Sequence, residues 1–209
     1  MNRNPPFWLT ALIILFSLPL ILPFLYAVVR AVDVGWVRSI ELLWRPRMWE
    51  LLSNTLLLMV CVTTFSIILG TVCAFLLERY RFLGKPFFQV AMTLPLCIPA
   101  FVSCFTWISL TFSVEGFWGT IGIMTLSYFP LAYLPVAATL KRLDRSLEEV
   151  SLSLGKSRRD TFWYAIFPQL KPAIGSSVLL IALHMLVEFG AVSILNYQTF
   201  TTAIFQEYE

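Results

Sequence analysis

Charged residues are scarce in this chain. They make up 13% of its 209 residues, against roughly 25% in a soluble domain, while hydrophobic residues make up 58%. The net charge at pH 7 is only +3, so the sequence offers no basic stripe for a nucleic acid partner. There is one histidine, and the four cysteines have no C-x-x-C spacing, which argues against a metal site. The composition predicts an integral membrane protein whose cysteines are small buried apolar residues.

A nucleotide-binding loop is also missing. The letters Gly155-Lys156-Ser157 look like the end of such a loop, but a P-loop needs a glycine five positions before Gly155, and position 150 is Val. No Val/Ile-rich strand precedes this segment to hold backbone amides around phosphates. Any ATP hydrolysis linked to this protein must therefore take place on another chain.

Long hydrophobic runs, in contrast, are abundant. About 20 helical residues cross the hydrocarbon layer of a membrane, and five runs reach that length: 7–29, 54–77, 87–112, 119–140 and 173–195. The first run could be a signal peptide, but it is too long and lacks a cleavage site, so a membrane anchor is favoured. We predict an all-α membrane bundle of five spans, divided into an N-terminal span with a periplasmic segment (1–53) and a core (54–209).

The basic residues decide the predicted orientation. Eleven of them precede span one or lie between spans two and three or four and five, whereas four lie between spans one and two. The positive-inside rule places the more basic side in the cytoplasm. The N-terminus and the loop of residues 141–172 are therefore predicted to be cytoplasmic.

This cytoplasmic loop begins with an amphipathic pattern. Leu143, Leu147, Val150 and Leu154 recur at spacings of four, three and four, and the acidic residues, Glu148 among them, take the other face. The pattern predicts a surface helix with one face that needs an apolar partner.

The end of that helix and the start of the next are also predicted from single residues. Gly155 suits a left-handed turn that ends the first helix. Ser157 or Asp160 can cap a second helix, and Pro168 and Pro172 are expected to end it before the last span begins.

The segment from Glu149 to Pro168 resembles the EAA loop of bacterial binding-protein-dependent (type I) ABC importer permeases. In that pattern Glu-Ala-Ala is followed after three residues by glycine and later by proline. Glu149, Gly155 and Pro168 match its spacing, while Val150 and Ser151 stand in place of the two alanines.

The resemblance implies a coupling role for the loop. Its short helix would dock in a groove of a cytoplasmic ATPase subunit, through the coupling residues Glu148, Glu149, Leu154, Gly155 and Pro168. ATP and magnesium would be bound by that partner, so this chain itself is expected to bind no cofactor. The resemblance also implies a periplasmic or lipoprotein substrate-binding protein, a second permease half or subunit, and contact with membrane lipid.

Prolines and ionisable groups mark the predicted translocation pathway. Pro95 and Pro99 interrupt span three, and membrane prolines either line a wet cavity or are simple kinks satisfied by neighbouring helices. His184 and Glu188 lie four residues apart in span five and so on one helical face. A charge at that depth costs at least about 2.5 kcal/mol, so Glu188 should line the pathway or be hydrogen-bonded to His184 or a neighbouring helix. Two groups are too few for a metal site.

The tail after span five resembles iron(III) importer permeases, through Glu188-Phe189-Gly190 and the run TFTT at 199–202, and so does the stretch LPLCIP of span three. The resemblance covers residues 54–209 and implies ferric iron as the cargo, with thiamine, polyamine or phosphonate as alternatives. Because that family has a sixth span, we expect the chain to be truncated before it.

Two functions of another class stay open. One is a channel or carrier that works without an ATPase. The other is a lipid-modifying membrane enzyme, which would need a cluster of carboxylates for a metal and phosphates. The cytoplasmic acids are instead scattered along the loop, as Asp144, Glu148, Glu149 and Asp160.

Overall fold

A computed structural model of the protein describes residues 7–35, 40, 44–111, 114–144 and 146–206. All regular structure in these residues is helical. Within the described ranges, four helices are long and apolar enough to cross a membrane, or five spans if one bent helix pair counts as a single span. The predicted all-α membrane fold is therefore confirmed. The chain forms two compact units, Met1–Glu50 and Leu51–Glu209.

The first unit consists mainly of α1 (Phe7–Val34), which covers the predicted first span. Its stretch Phe7–Arg30 has a mean hydropathy of 2.6 and can cross a membrane. Pro19 and Pro23 lie inside the helix. Membrane helices tolerate internal prolines when the carbonyls that lose a hydrogen bond find other partners. Arg3, which contributes to the predicted orientation, lies outside the described residues.

The remaining helices follow in chain order. They are α2 (Pro46–Arg79), α3 (Lys85–Ala91), α4 (Ala100–Leu110), α5 (Phe117–Tyr128), α6 (Pro130–Arg142), α7 (Ser146–Ser153), α8 (Arg158–Thr161), α9 (Phe167–Val187), α10 (Gly190–Ile194) and α11 (Phe200–Gln206). A 3₁₀ turn, Leu94–Cys97, lies between α3 and α4, and a π turn, Phe162–Ile166, joins α8 to α9.

The predicted third span is a bent pair of helices. Lys85–Cys97 and Ala100–Leu110 meet at 96°. Pro99 immediately precedes α4, and the residue before it, Ile98, is extended with ψ 119°. A proline disfavours the helical conformation of the residue before it, so Pro99 sets the break. Pro95 lies in the first turn of the 3₁₀ segment, where its missing N–H costs little.

Two apolar clusters form the core, and α2 contributes to both. One contains Leu58, Met124 and Ile181, and the other contains Leu140 and Leu170. These side chains are almost completely buried, so α2 holds α5, α6 and α9 together by apolar packing.

Gly70 permits the closest approach of α2 to the α5–α6 junction. A Cβ atom there would lie 2.7 Å from both the Ala132 Cβ atom and the Phe129 carbonyl oxygen. Those separations are far inside van der Waals contact, and one neighbour is rigid backbone. A side chain at position 70 would therefore push α2 away from this junction.

Two expectations from the sequence are wrong. The helix that begins at Arg158 continues to Val187, so Pro168 and Pro172 do not end it. The π turn ends at Ile166, two residues before Pro168, and its wider winding accommodates a residue that has no N–H to donate. The cysteines are also not uniformly buried, because Cys97 is exposed at the α3–α4 bend while Cys104 is fully buried.

Candidate functional site

The helix α7 is the structural counterpart of the predicted coupling helix, and a short turn fixes its start. The Ser146 amide donates to Asp144 Oδ1 at 3.0 Å, and the Ser146 hydroxyl donates to Asp144 Oδ2 at 2.7 Å. These hydrogen bonds favour the ionised carboxylate and lower the pKa of Asp144. Leu143 lies before this turn and is buried at the end of α6, so its predicted place on the amphipathic helix is wrong.

The predicted left-handed turn is present at Gly155, whose φ is +80°. The Gly155 amide donates to the Leu152 carbonyl at 3.0 Å, and the Lys156 amide donates to the Ser151 carbonyl at 3.2 Å. These bonds satisfy carbonyls that the end of α7 would otherwise leave unpaired. A residue with a Cβ atom is strained at this φ, so glycine is the natural choice here.

Ser157 begins the following helix, as one of the two predicted alternatives. Its hydroxyl accepts the Asp160 amide at 3.1 Å and donates to Asp160 Oδ2 at 2.7 Å. The hydroxyl thereby lowers the pKa of Asp160. The two turns at Asp144 and Ser157 fix where α7 and α8 begin.

The outward face of α7 carries unpartnered apolar side chains. Leu147 is 45% exposed, Val150 is 56% exposed and Leu154 is 76% exposed. Glu149 is also exposed, on the same stretch. Such a concentration of apolar surface on a polar loop is typical of a docking site for another protein.

The inward face of α7 is tied to the rest of the chain. Arg79 Nη2, in the last turn of α2, lies 2.5 Å from Glu148 Oε1 in an ion pair, and only 8% of the Arg79 side chain and 22% of the Glu148 side chain are exposed. The Ser151 and Thr161 hydroxyls are hydrogen-bonded at 2.9 Å. Glu148 therefore faces this chain, whereas Glu149, Leu154 and Gly155 face outward.

A cavity of about 340 Å³ separates part of α7 from α2 and the π turn. It is lined by Phe75, Arg79, Glu148, Arg158 and Phe162, among others. Pro168, the last predicted coupling residue, lies exposed at the start of α9 and does not line this cavity.

A second polar cluster, centred on Glu78, was not predicted from the sequence. The Glu78 side chain is only 7% exposed. It accepts a hydrogen bond from Gln89 Nε2 at 2.9 Å and lies 3.5 Å from Lys141 Nζ and 3.9 Å from Lys85 Nζ. Glu78 therefore joins the end of α2 to α3 and α6. The available signal was the pair Glu78-Arg79 at the end of an apolar run, together with a lysine at the predicted cytoplasmic end of each of two other spans, Lys85 and Lys141.

Glu188 lies where α9 ends rather than inside it. The last helical residue is Val187, and Glu188 is extended with φ −66° and ψ 123°. The Tyr128 hydroxyl donates to Glu188 Oε2 at 2.6 Å, and the Ala191 amide donates to Oε1 at 3.1 Å. The Thr201 hydroxyl donates to the Glu188 carbonyl at 2.8 Å, which satisfies an oxygen at the helix end.

These contacts show whether Glu188 is hydrogen-bonded to His184 or to a neighbouring helix. His184 Nδ1 lies 3.0 Å from the Leu180 carbonyl of its own helix, so Glu188 is bonded to Tyr128 and not to His184. Glu188 ends α9 with a helical φ, and it lines one cavity with His184, as expected for two residues on one face of the helix.

A cavity of about 630 Å³ brings His184 and Glu188 to a common surface. It is lined by Leu180, Leu183, His184, Val187, Glu188, Phe189 and Gly190. Pro95 and Pro99 do not line it. Among the described residues, no group of three or more His, Cys, Asp or Glu side chains is arranged to hold a metal ion.

Several helices long and apolar enough to cross a membrane, joined by a loop whose capped helix has an apolar outer face, place the chain among multi-pass membrane proteins. The chain belongs to the family described as binding-protein-dependent transport system inner membrane component, whose model matches residues 63–208. This confirms the resemblance carried by the loop and identifies the chain as a multi-pass inner-membrane protein.

Relatives that match this chain are named as permeases for two different substrates, ferric iron and sulfate. The chain is 83% identical over 209 residues to the Fe(3+)-transport system permease protein FbpB 2 of Haemophilus influenzae, covering all of this chain and 41% of the relative. It is 31% identical over 189 residues to the sulfate transport system permease protein CysT of Escherichia coli, covering 83% of this chain and 68% of that relative. The chain thus spans about two fifths of the length of the iron-transport relative.

Proposed function

We propose that this chain is a transmembrane subunit of an ATP-driven, binding-protein-dependent importer of ferric iron. The observation that carries the proposal is the 83% identity, over the whole chain, to a protein named as an Fe(3+) permease. The relatives named as sulfate permeases are about 31% identical or less. The higher identity to the iron-transport relative favours ferric iron as the cargo.

ATP hydrolysis would take place on a separate cytoplasmic subunit that docks on the outward face of α7. The exposed Leu147, Val150 and Leu154 side chains offer the apolar surface for such contact, and Glu149 adds a charge at the side. Docking there requires the loop and the N-terminus to be cytoplasmic, as the distribution of basic residues predicts. ATP and magnesium would be bound by the ATPase subunit, and no cofactor by this chain.

The cavity at the end of α9 is the part of the pathway that this chain would contribute. Glu188 presents a carboxylate there whose hydrogen-bond donors, Tyr128 and Ala191, are neutral. Its negative charge would attract a passing cation without forming the three-ligand site that would retain iron. A periplasmic or lipoprotein binding protein would deliver the cargo, and a second permease half or subunit would complete the pathway.

The test is uptake of radiolabelled ferric iron and sulfate by cells in which the gene is intact, deleted, or restored on a plasmid. Selective loss of iron uptake on deletion, with recovery on restoration, supports the proposal. Selective loss of sulfate uptake would instead assign the other cargo. If both uptakes persist in the deletion strain, the proposed transport role is wrong.

A further inference from the structure

The last turn of α2 carries two adjacent charged residues that make contacts in different directions. Glu78 contacts Gln89 and Lys85 near α3 and Lys141 on α6. Arg79 contacts Glu148 on α7. The end of one membrane-crossing helix is therefore connected both to its neighbours in the bundle and to the loop helix.

The Arg79–Glu148 ion pair is favoured by its surroundings at both ends. Arg79 lies in the last turn of α2, where the helix dipole favours a positive charge, and Glu148 lies in the first turn of α7, where it favours a negative charge. Both side chains are largely buried, so solvent screens their attraction less than it screens a surface pair. Loss of Glu148 would leave the Arg79 charge buried without its partner, whereas after loss of Arg79 the Glu148 carboxylate would still share its cavity with Arg158 and Arg159.

Part of the space between α7 and α2 is open, so apolar packing there does not substitute for the Arg79–Glu148 ion pair. The 340 Å³ cavity lies between α7 and the aromatic side chains Phe75 and Phe162, so an inward movement of α7 meets open space there. In the described part of the chain, the other polar contact of the inward face joins Ser151 to Thr161, on the helix that follows α7 directly. Arg79–Glu148 is accordingly the polar contact that joins α7 to α2.

We propose that Arg79 is a positioning residue that transmits movement of α7 to α2, and through the neighbouring Glu78 to α3 and α6. The proposal rests on the proposed function, because it needs an ATPase subunit to move α7. It assigns Glu148 a role different from the one implied by the family pattern: Glu148 holds α7 to the bundle, while Glu149 and the apolar side chains face the ATPase. The bent pair α3–α4 then receives the movement through Lys85 and Gln89.

The experiment uses the assembled transporter in membrane vesicles with its ATPase and binding protein. It compares Arg79→Ala, the neutral double variant Arg79→Gln/Glu148→Gln, and the exchanged pair Arg79→Glu/Glu148→Arg. Arg81→Ala is the matched control, because Arg81 carries the same charge two residues away but is exposed. The measurements are membrane abundance, co-purification of the ATPase subunit, ATP hydrolysis, and iron taken up per ATP hydrolysed.

We expect Arg79→Ala to lower uptake per ATP by about tenfold, within the range typical of mutations along a coupling network, while the ATPase stays associated. The exchanged pair should recover uptake per ATP in part but not fully, since opposite charges again meet while both helix dipoles now oppose them. Arg81→Ala should behave as the wild type. The neutral double variant removes both charges without leaving one buried alone, so it should accumulate normally and still show low uptake per ATP.

Two results would overturn the inference. One is a neutral double variant with the wild-type ratio of uptake to ATP hydrolysis. The other is an Arg79→Ala variant in which hydrolysis and uptake fall together with abundance and the exchanged pair recovers neither, because that is the behaviour of a purely structural contact. Failure of the proposed function looks different: the wild-type chain would then co-purify with no ATPase subunit, and a Leu154→Cys variant would not crosslink to one.

Discussion

Two carboxylates of this chain are held against neighbouring helices, but by different chemistry. Glu148 on the loop is bound by the guanidinium of Arg79, and Glu188 at the end of α9 is bound by the Tyr128 hydroxyl and the Ala191 amide. A guanidinium neutralises the carboxylate that it binds, whereas neutral donors leave the charge in place. The first arrangement is suited to a mechanical connection, and the second keeps a negative charge available to a cation.

The two sites also differ in what they connect. The Glu148 contact joins two helices across open space, so it can move with α7. Glu188 contacts α5 and α10 through its side chain, and Thr201 on α11 through its carbonyl. A residue fixed at three points resists movement, which suggests that α9 and α5 move together there. Two kinds of variant can separate the mechanical role from the attraction of a cation. One kind removes a contact but keeps the charge, and the other removes the charge but keeps the contacts.

The largest effect is expected from Gly70→Ala, which would disturb both sites because α2 carries Arg79 and packs against the junction that follows Tyr128. The added methyl group would lie 2.7 Å from the Ala132 Cβ atom and from the Phe129 carbonyl oxygen, so α2 must shift. Overpacking of this kind costs about 1–3 kcal/mol. The measurement is thermal unfolding of the purified protein in detergent. Gly175→Ala is the control, because a methyl group added there would have no neighbouring atom within 4 Å; equal melting temperatures for the two variants would contradict the predicted contact.

Glu188→Gln should have the largest effect on transport, with little effect on folding. Glutamine keeps an oxygen that can accept the Tyr128 hydroxyl or the Ala191 amide, but it removes the negative charge. We expect normal abundance and iron uptake reduced by at least about tenfold, which corresponds to roughly 1.4 kcal/mol lost from the attraction of the cation. Uptake of radiolabelled iron in cells measures this. Wild-type uptake by Glu188→Gln would show that the carboxylate is a structural contact only.

Tyr128→Phe tests the loss of a contact to Glu188 when the charge of Glu188 is kept. It keeps the ring but removes the hydroxyl that donates to Glu188 Oε2 at 2.6 Å, so the charge stays and one contact is lost. Loss of a hydrogen bond to a charged group costs about 1.5–3 kcal/mol. We expect a lower melting temperature with iron uptake per folded molecule within about threefold of the wild type, the opposite pattern to Glu188→Gln. An unchanged melting temperature with lost uptake would mean that Tyr128, not Glu188, serves the cargo.

Both sites show what the sequence could and could not predict. The two turns of the loop were predicted correctly because their signals are local: the left-handed turn at Gly155 and the cap at Ser157 depend on residues within three or four positions of one another. The partners of Glu148 and Glu188 are 69 and 60 positions away along the chain, and periodicity carries no information at that separation. The end of α9 was misplaced for a related reason. No proline or glycine stands at Val187, and the break is stabilised by Thr201 and Tyr128, which belong to other parts of the fold.

The smallest expected effect is at the start of α7, where acid should weaken the turn that positions Glu148. The pKa of Asp144 lies below its ordinary value of 3.8, because the Ser146 hydroxyl and amide favour the ionised form. A lowered pKa contributes stability that is present above the ordinary value and is lost as the pH falls through the lowered one. Protection of the α7 amides from hydrogen exchange should therefore be constant from neutral pH to about 5 and fall only below about 3.8.

The control variant is Asp144→Asn. It keeps a neutral oxygen acceptor for the Ser146 amide, so its protection should not fall when the pH is lowered below about 3.8. If the wild type and Asp144→Asn lose protection in parallel on acidification, Asp144 does not control the start of α7, and the acid sensitivity belongs to another group.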